Sequence, residues 1–169
     1  GVTVGNVAAR DGASLQSAAG GINAGEVVSS GGAVQVTAAN DVNLRRAQGT
    51  AATIASNTGR IRVGTTSGSS FVGGNVNATT GAASVSARTG VEAADITGGT
   101  TATVNVAEGA VVARALFVGN GAAFVSGRDG ISVTSASAPN GSIDLIANQG
   151  AVKAGSTSGS TFSGGQVNA

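Results

Sequence analysis

A valine or isoleucine closely preceded by Gly or Asp returns about every twenty residues along the whole chain. The anchors are Val2, Ile22, Val42, Ile61, Val91, Val111, Ile131 and Val152, with spacings of 20, 20, 19, 30, 20, 20 and 21. A fixed period in this range marks a solenoid, whose coils bury their apolar sides only against their neighbours. This excludes most ordinary globular folds before any single residue is considered.

The segments between anchors identify the type of coil. Residues 12–24, 32–44 and 121–133 share one shape: a short alternating stretch such as Val34-x-Val36, a turn, then a second pair such as Val42-x-Leu44. Period two means strand with one side buried. The turns carry Gly, Asn or Asp, which suit tight backbone conformations. Leu15 and Ile54 lie seven residues before their anchors, whereas Val36, Val85 and Val125 lie six before. A one-residue slip would send these side chains outward, so two turn lengths must alternate along the stack.

A longer repeat is superimposed. Val2, Ile22 and Val42 recur 89 residues on, and Ile61 recurs 91 on. The extra two residues fit a loop near Pro139-Asn140. Gly64-Thr-Thr-Ser-Gly-Ser-Ser-Phe-Val-Gly-Gly-Asn-Val-Asn-Ala78 matches residues 155–169 at eleven of fifteen positions. This stretch makes the fourth coil of each unit about ten residues longer, hence the single spacing of 30. The expected fold is an all-β, right-handed parallel β-helix (β-solenoid) of about eight coils of 19–21 residues. It forms one segment, 1–169, with internal units 1–89 and 90–169, the second incomplete. The chain lacks an initiator Met and stops within the repeated motif, so it reads as an excerpt from a longer rod.

Other solenoids fit less well. Apolar positions alternate instead of recurring at three and four, so helical repeats are disfavoured. Leu is too scarce for leucine-rich repeats, and no Gly-Gly-x-Gly-x-Asp calcium repeat occurs.

Composition narrows the function classes. Cys and His are absent, so disulfides, thiolate metal sites and the commonest general base are missing. The net charge is +1 and the basic residues are scattered, which argues against a nucleic-acid partner. No apolar run approaches the ~20 residues of a membrane-spanning helix. No cofactor is expected.

The repeat in residues 32–44, Gly-x-Val-x-Val-x-Ala-x-Asn-Asp-Val-x-Leu, resembles the haemagglutinin-type repeats of filamentous haemagglutinin-like exoproteins. The resemblance covers nearly the full length. It implies a β-helical adhesin shaft, exported by two-partner secretion and displayed on a Gram-negative surface. Contact-dependent inhibition toxins carry similar shafts. The expected function is therefore a structural shaft of a large bacterial surface or secreted adhesin or fibre, extracellular and outer-membrane-associated. Its partners would be other copies of itself, or glycans or proteins of a host or neighbouring cell. The alternatives are a carbohydrate-active β-helix enzyme (polysaccharide lyase or glycosidase) and an autotransporter passenger.

No catalytic, cofactor or metal residue is assigned. The acids, Asp11, Glu26, Asp41, Glu92, Asp95, Glu108, Asp129 and Asp144, fall in different phases of the coil. Turn or solvated roles are expected for them, not the paired carboxylates of a glycosidase. Arg10-Asp11-Gly12 and Arg128-Asp129-Gly130 invert the integrin-binding order and read as turns. Thr100-Thr101-Ala102-Thr103 hints at an ice-binding array, which would need Thr-x-Thr in every coil. Stretch 64–75 lacks the Gly-Lys ending of a phosphate loop and reads as a Ser/Thr/Gly loop bulging from the stack. The candidate contact residues are Ser67, Gly68, Ser69, Ser70, Phe71, Ser158, Gly159, Ser160, Thr161 and Phe162. Two expectations attach to them. Either Phe71 and Phe162 plug a widened section of their own coils, or the two loops line up on one face and contact a partner such as the next rod in a fibre.

Overall fold

A computed structural model describes residues 1–67, 70–158, 161–164 and 166–168. The chain is all-β, and its parallel strands stack as a β-solenoid of about seven turns. The eight anchors define eight successive rungs, numbered 1 to 8 below. Anchor pairs to anchor in register: Val2 with Ile22, Ile22 with Val42, Val42 with Ile61, and Ile61 with Val91. Val91 then pairs with Val111, Val111 with Ile131, and Ile131 with Val152.

Each rung has three sides. In Ile22–Ser29 the inward residues are Ile22, Ala24, Val27 and Ser29. Gly25 and Glu26 both turn outward, so the in–out alternation slips once and the strand bends round a corner. Side 1 is thus residues 22–24 and side 2 residues 27–29, with their equivalents in other rungs. In rung 1 the same two sides are separate strands, Val2–Val4 and Val7–Ala9. Side 3 is a distinct seven-stranded sheet. In chain order its strands are Ala13–Ser17, Val34–Ala38, Ala52–Ser56, Ala82–Ala87, Thr101–Val106, Ala123–Gly127 and Ile143–Ala147.

The register of side 3 shows why the turns back to side 1 alternate in length. Leu15 faces Val36, Val36 faces Ile54, Ile54 faces Val85, and the column runs on through Val104 and Val125 to Leu145. These residues stand alternately seven and six before their anchors. The longer and shorter turns therefore keep every one of them pointing inward. The two residues that distinguish the second unit occupy the corner after Ala138. There the Gly141 N–H donates to the Ala138 carbonyl at 3.1 Å, and Asn140 Nδ2 donates to the Gly119 carbonyl at 3.2 Å.

The interior is a pillar of Val, Ile, Leu and Ala. Ile22, Leu44, Ile54, Ile61, Ile96, Leu116 and Ile131 are its largest fully buried side chains. Volume is balanced within a rung: Leu44 stands with Ala47, Ala93 with Ile96, and Ala113 with Leu116. A large residue on one side of the corner meets Ala on the other, which keeps a narrow core at close-packed density. Ser29 and Ser56, two of the three buried serines, bond through their hydroxyls. Ser56 Oγ donates to the Asn40 carbonyl at 2.8 Å and accepts the Gly59 N–H at 3.1 Å. Among the described residues, no buried side-chain polar atom lacks a hydrogen bond, as a buried polar group requires.

Candidate functional site: two arms and the cleft between them

The stack departs from its plain outline at one corner, between sides 1 and 2, on rungs 4 and 8. On rung 4, Arg60–Ser67 runs out past Val63 and Ser70–Gly73 returns beside it, antiparallel. The pairs are Gly64 with Gly73, Thr65 with Val72, Thr66 with Phe71, and Ser67 with Ser70. On rung 8, Val152–Ser158 and Thr161–Gly164 repeat the arrangement, from Gly155 with Gly164 to Ser158 with Thr161. The expected bulging loops are therefore β-hairpin arms. A phosphate cradle is not formed, because no helix follows the glycines.

Glycines explain how an arm leaves without breaking the stack. Gly64 and Gly155 open the two arms at φ +151° and +142°, values that L side chains rarely adopt. The return strand re-enters through Gly73 and Gly74, between neighbouring rungs. A Cβ on Gly74 would lie 1.9 Å from the Arg45 carbonyl oxygen, and one on Gly73 would lie 2.5 Å from the Ala94 nitrogen. The Gly74 N–H donates to the Val63 carbonyl at 2.7 Å, and the Ala94 N–H donates to the Gly74 carbonyl at 2.9 Å. Gly74 thus takes the corner place that Arg45 holds one rung earlier.

Ser67, Ser70, Phe71, Ser158, Thr161 and Phe162 lie on the arm strands. Gly68, Ser69, Gly159 and Ser160 lie outside the described residues. The side chains of Phe71 and Phe162, on which the plug expectation turns, lie outside the described residues. Ile61, Val63, Val76 and Ala78 fill rung 4 and are completely buried. Both arms emerge at the same corner, four rungs apart.

Between the arms lies a cleft of about 760 Å³. Its floor is the outward column of side 1: Arg62, Glu92, Val112, Ser132 and Lys153. Val72 and Gly73 bound it at one arm and Gly155 at the other, with Ala94, Arg114 and Thr134 along the corner. The sequence analysis missed this cleft, because its lining residues come from five rungs and share no motif. The available signal was the Gly73-Gly74 pair that closes the first arm, where the chain threads the stack, a pair the sequence repeats at 164–165.

Charges pair from rung to rung. Arg62 Nε donates to Glu92 Oε2 at 2.8 Å, Arg88 Nη2 to Glu108 Oε1 at 2.7 Å, and Arg114 Nε to Asp95 Oδ1 at 2.9 Å. Glu26 stands 4.0 Å from Arg46. The hydrogen bond from Arg88, helped by its charge, holds the Glu108 carboxyl below the usual carboxylate range, and Arg88 itself is raised in turn. Asp95 likewise raises Arg114. Asp41 serves a turn, where its Oδ1 accepts the Arg60 N–H at 2.9 Å. Asp129, 3.3 Å from Arg128, stands in a bend before Gly130 at φ +139°, and Asp11 stands in a bend before Gly12 at φ +143°. Both Arg-Asp-Gly triplets are thus turns. Among the described residues no group of three His, Cys, Asp or Glu gathers. The column through Thr103 runs Ser84, Thr103, Phe124, Asp144, which is not a threonine array.

No family model, curated protein or solved structure matches this chain. The fold itself defines the class: a β-helical repeat protein. Among the described residues no helix is long and apolar enough to cross a membrane.

Proposed function

We propose that this chain is a section of the shaft of a large bacterial surface or secreted protein, an adhesin or fibre of the filamentous haemagglutinin-like kind. The shaft works outside the cell and projects or assembles; it does not catalyse. The observation that carries this reading is where the ionisable groups go. Five of the eight carboxylates, Glu26, Glu92, Asp95, Glu108 and Asp129, stand against an arginine, four of them across a rung boundary. A general acid or nucleophile must be free to meet substrate, whereas these carboxylates fasten one turn to the next. The continuous core and the in-register ladders serve length and stiffness in the same way.

Electron microscopy of the parent protein, combined with a polysaccharide-digestion panel, tests the reading. Thin rods or fibres at the cell surface, with no release of reducing ends, are expected. Release of reducing ends that disappears on Glu92→Gln would replace the shaft reading with the carbohydrate-active one.

A further inference from the structure

We propose that the cleft between the arms receives the arm of a second copy of this chain, so that two shafts lock side by side. The inference rests on the shaft reading and adds to it the partner, the contact and the register.

Spacing is the first support. Four rungs at about 4.8 Å set the arms roughly 19 Å apart. A hairpin is about 10 Å thick across its side chains, the distance at which sheets pack face to face. One arm thus takes about half of each period and leaves a gap of about its own thickness.

Chemistry is the second. Two exposed apolar side chains stand at the centre of the cleft, Val112 47 % exposed on its floor and Val72 60 % exposed on its wall, above the buried Ala94 and Ala113. Exposed apolar side chains gathered in one concave place are the usual mark of a contact surface. Arg62 and Arg114 face carboxylates of neighbouring rungs, Glu92 and Asp95, so covering the cleft strands neither of them. The arm segment 65–72, Thr-Thr-Ser-Gly-Ser-Ser-Phe-Val, carries no charge at all. An uncharged arm over the centre of the cleft buries apolar area without stranding these two arginines, while Lys153 lies two rungs away at the foot of the second arm.

Symmetry is the third. A two-fold axis perpendicular to the rods places the first arm of each copy in the cleft of the other. Both clefts fill at once, in a closed, self-complementary contact. The interval on the other side of the first arm has a polar floor, Thr3, Asn23 and Asn43, and Asn23 holds the position that Val112 holds one unit later. The same two-fold lays the partner's second arm over this interval.

Sedimentation equilibrium on the 169-residue chain tests the proposal. A concentration-dependent dimer is expected. Val112→Arg should weaken it at least about tenfold, since it puts an unmatched charge into the contact. Gln35→Arg, an exposed change on side 3 away from both arms, should leave it unchanged, and circular dichroism should show both variants folded. Deleting residues 65–74 should abolish the dimer. A monomer at every concentration, or a dimer that Val112→Arg leaves as tight as before, overturns the interlock. Rods seen by microscopy with monomeric mass would overturn this proposal alone and leave the shaft reading in place, whereas polysaccharide cleavage would remove the shaft reading without touching the dimer.

Discussion

Rungs 3 and 4 differ at a single corner. In rung 3 the chain passes from side 1 to side 2 as Leu44-Arg45-Arg46; in rung 4 it passes from Val63 to Asn75 by way of an arm. Yet the two rungs pair in register on both sides of that corner, Leu44 with Val63 and Ala47 with Val76. Rung 4 goes on to pair with rung 5 equally well, Ile61 with Val91 and Val76 with Ile96. The stack therefore constrains the two residues of this corner, Arg45-Arg46 in rung 3 and Gly74-Asn75 in rung 4, and nothing beyond them. An excursion of any length is accommodated so long as the backbone that re-enters has no side chain. Gly73 and Gly74 meet that condition, and the paired arm strands satisfy their own backbone groups outside it.

The comparison breaks most completely at the threading glycine. Gly74→Val would place Cβ against the Arg45 carbonyl, which is backbone and cannot yield. A loss of about 3 kcal/mol or more is expected, read as a collapse of the urea midpoint. Gly5, at the equivalent corner of rung 1, has nothing within 4 Å of a built Cβ. Gly5→Ala should change stability by no more than about 0.5 kcal/mol.

Core truncations on either side of the boundary sharpen the comparison. Leu44→Ala and Ile61→Ala each remove a fully buried side chain and should each cost about 2–5 kcal/mol in chemical denaturation. A much smaller cost at Ile61 would mean that the arm loosens its rung, contrary to the unbroken register. Deleting residues 65–74 leaves Val63-Gly64-Asn75-Val76, two residues at the corner as in rung 3. The thermal midpoint should then correspond to a change of no more than about 1 kcal/mol, because surface insertions carry little closure entropy. Failure of that variant to fold would return Phe71 to the core as a plug.

The smallest effect belongs to the exposed rung-to-rung ion pairs. The Glu108 carboxyl titrates below its usual range because Arg88 is hydrogen-bonded to it. The stabilisation this brings is present above the unfolded carboxylate range and is withdrawn as pH falls through the lowered value. Melting of the native protein and of Arg88→Gln should differ slightly at neutral pH and coincide in acid. A difference that persists in acid would assign Arg88 a packing role instead.

Much of this architecture can be read from residue spacing alone. The anchors at Val2 through Val152, the alternation of long and short turns, the longer fourth coil and the two-residue excess near Pro139 all follow from side chains having to face inward once per fixed number of residues. Burial is a local, periodic demand, so it leaves a periodic trace. The arms were legible only as an interruption. Thr65–Ser67 and Ser70–Val72 are too short and too polar to announce a strand pair, and their pairing depends on both ends being anchored in rung 4. The bend at Gly25-Glu26, which gives each rung a third side, left no trace separable from ordinary alternation.

By itself, then, the sequence determined the period, the phase of the buried residues on sides 1 and 3 and the positions where ten extra residues leave the stack. Tertiary structure decided that the two departures share one corner, that Arg62, Val112 and Lys153 become neighbours in one column, and that a cleft opens between the arms. Those relations join residues twenty to ninety apart. They follow from the way rungs superpose, which is fixed by backbone hydrogen bonds between turns and is indifferent to which side chains point outward.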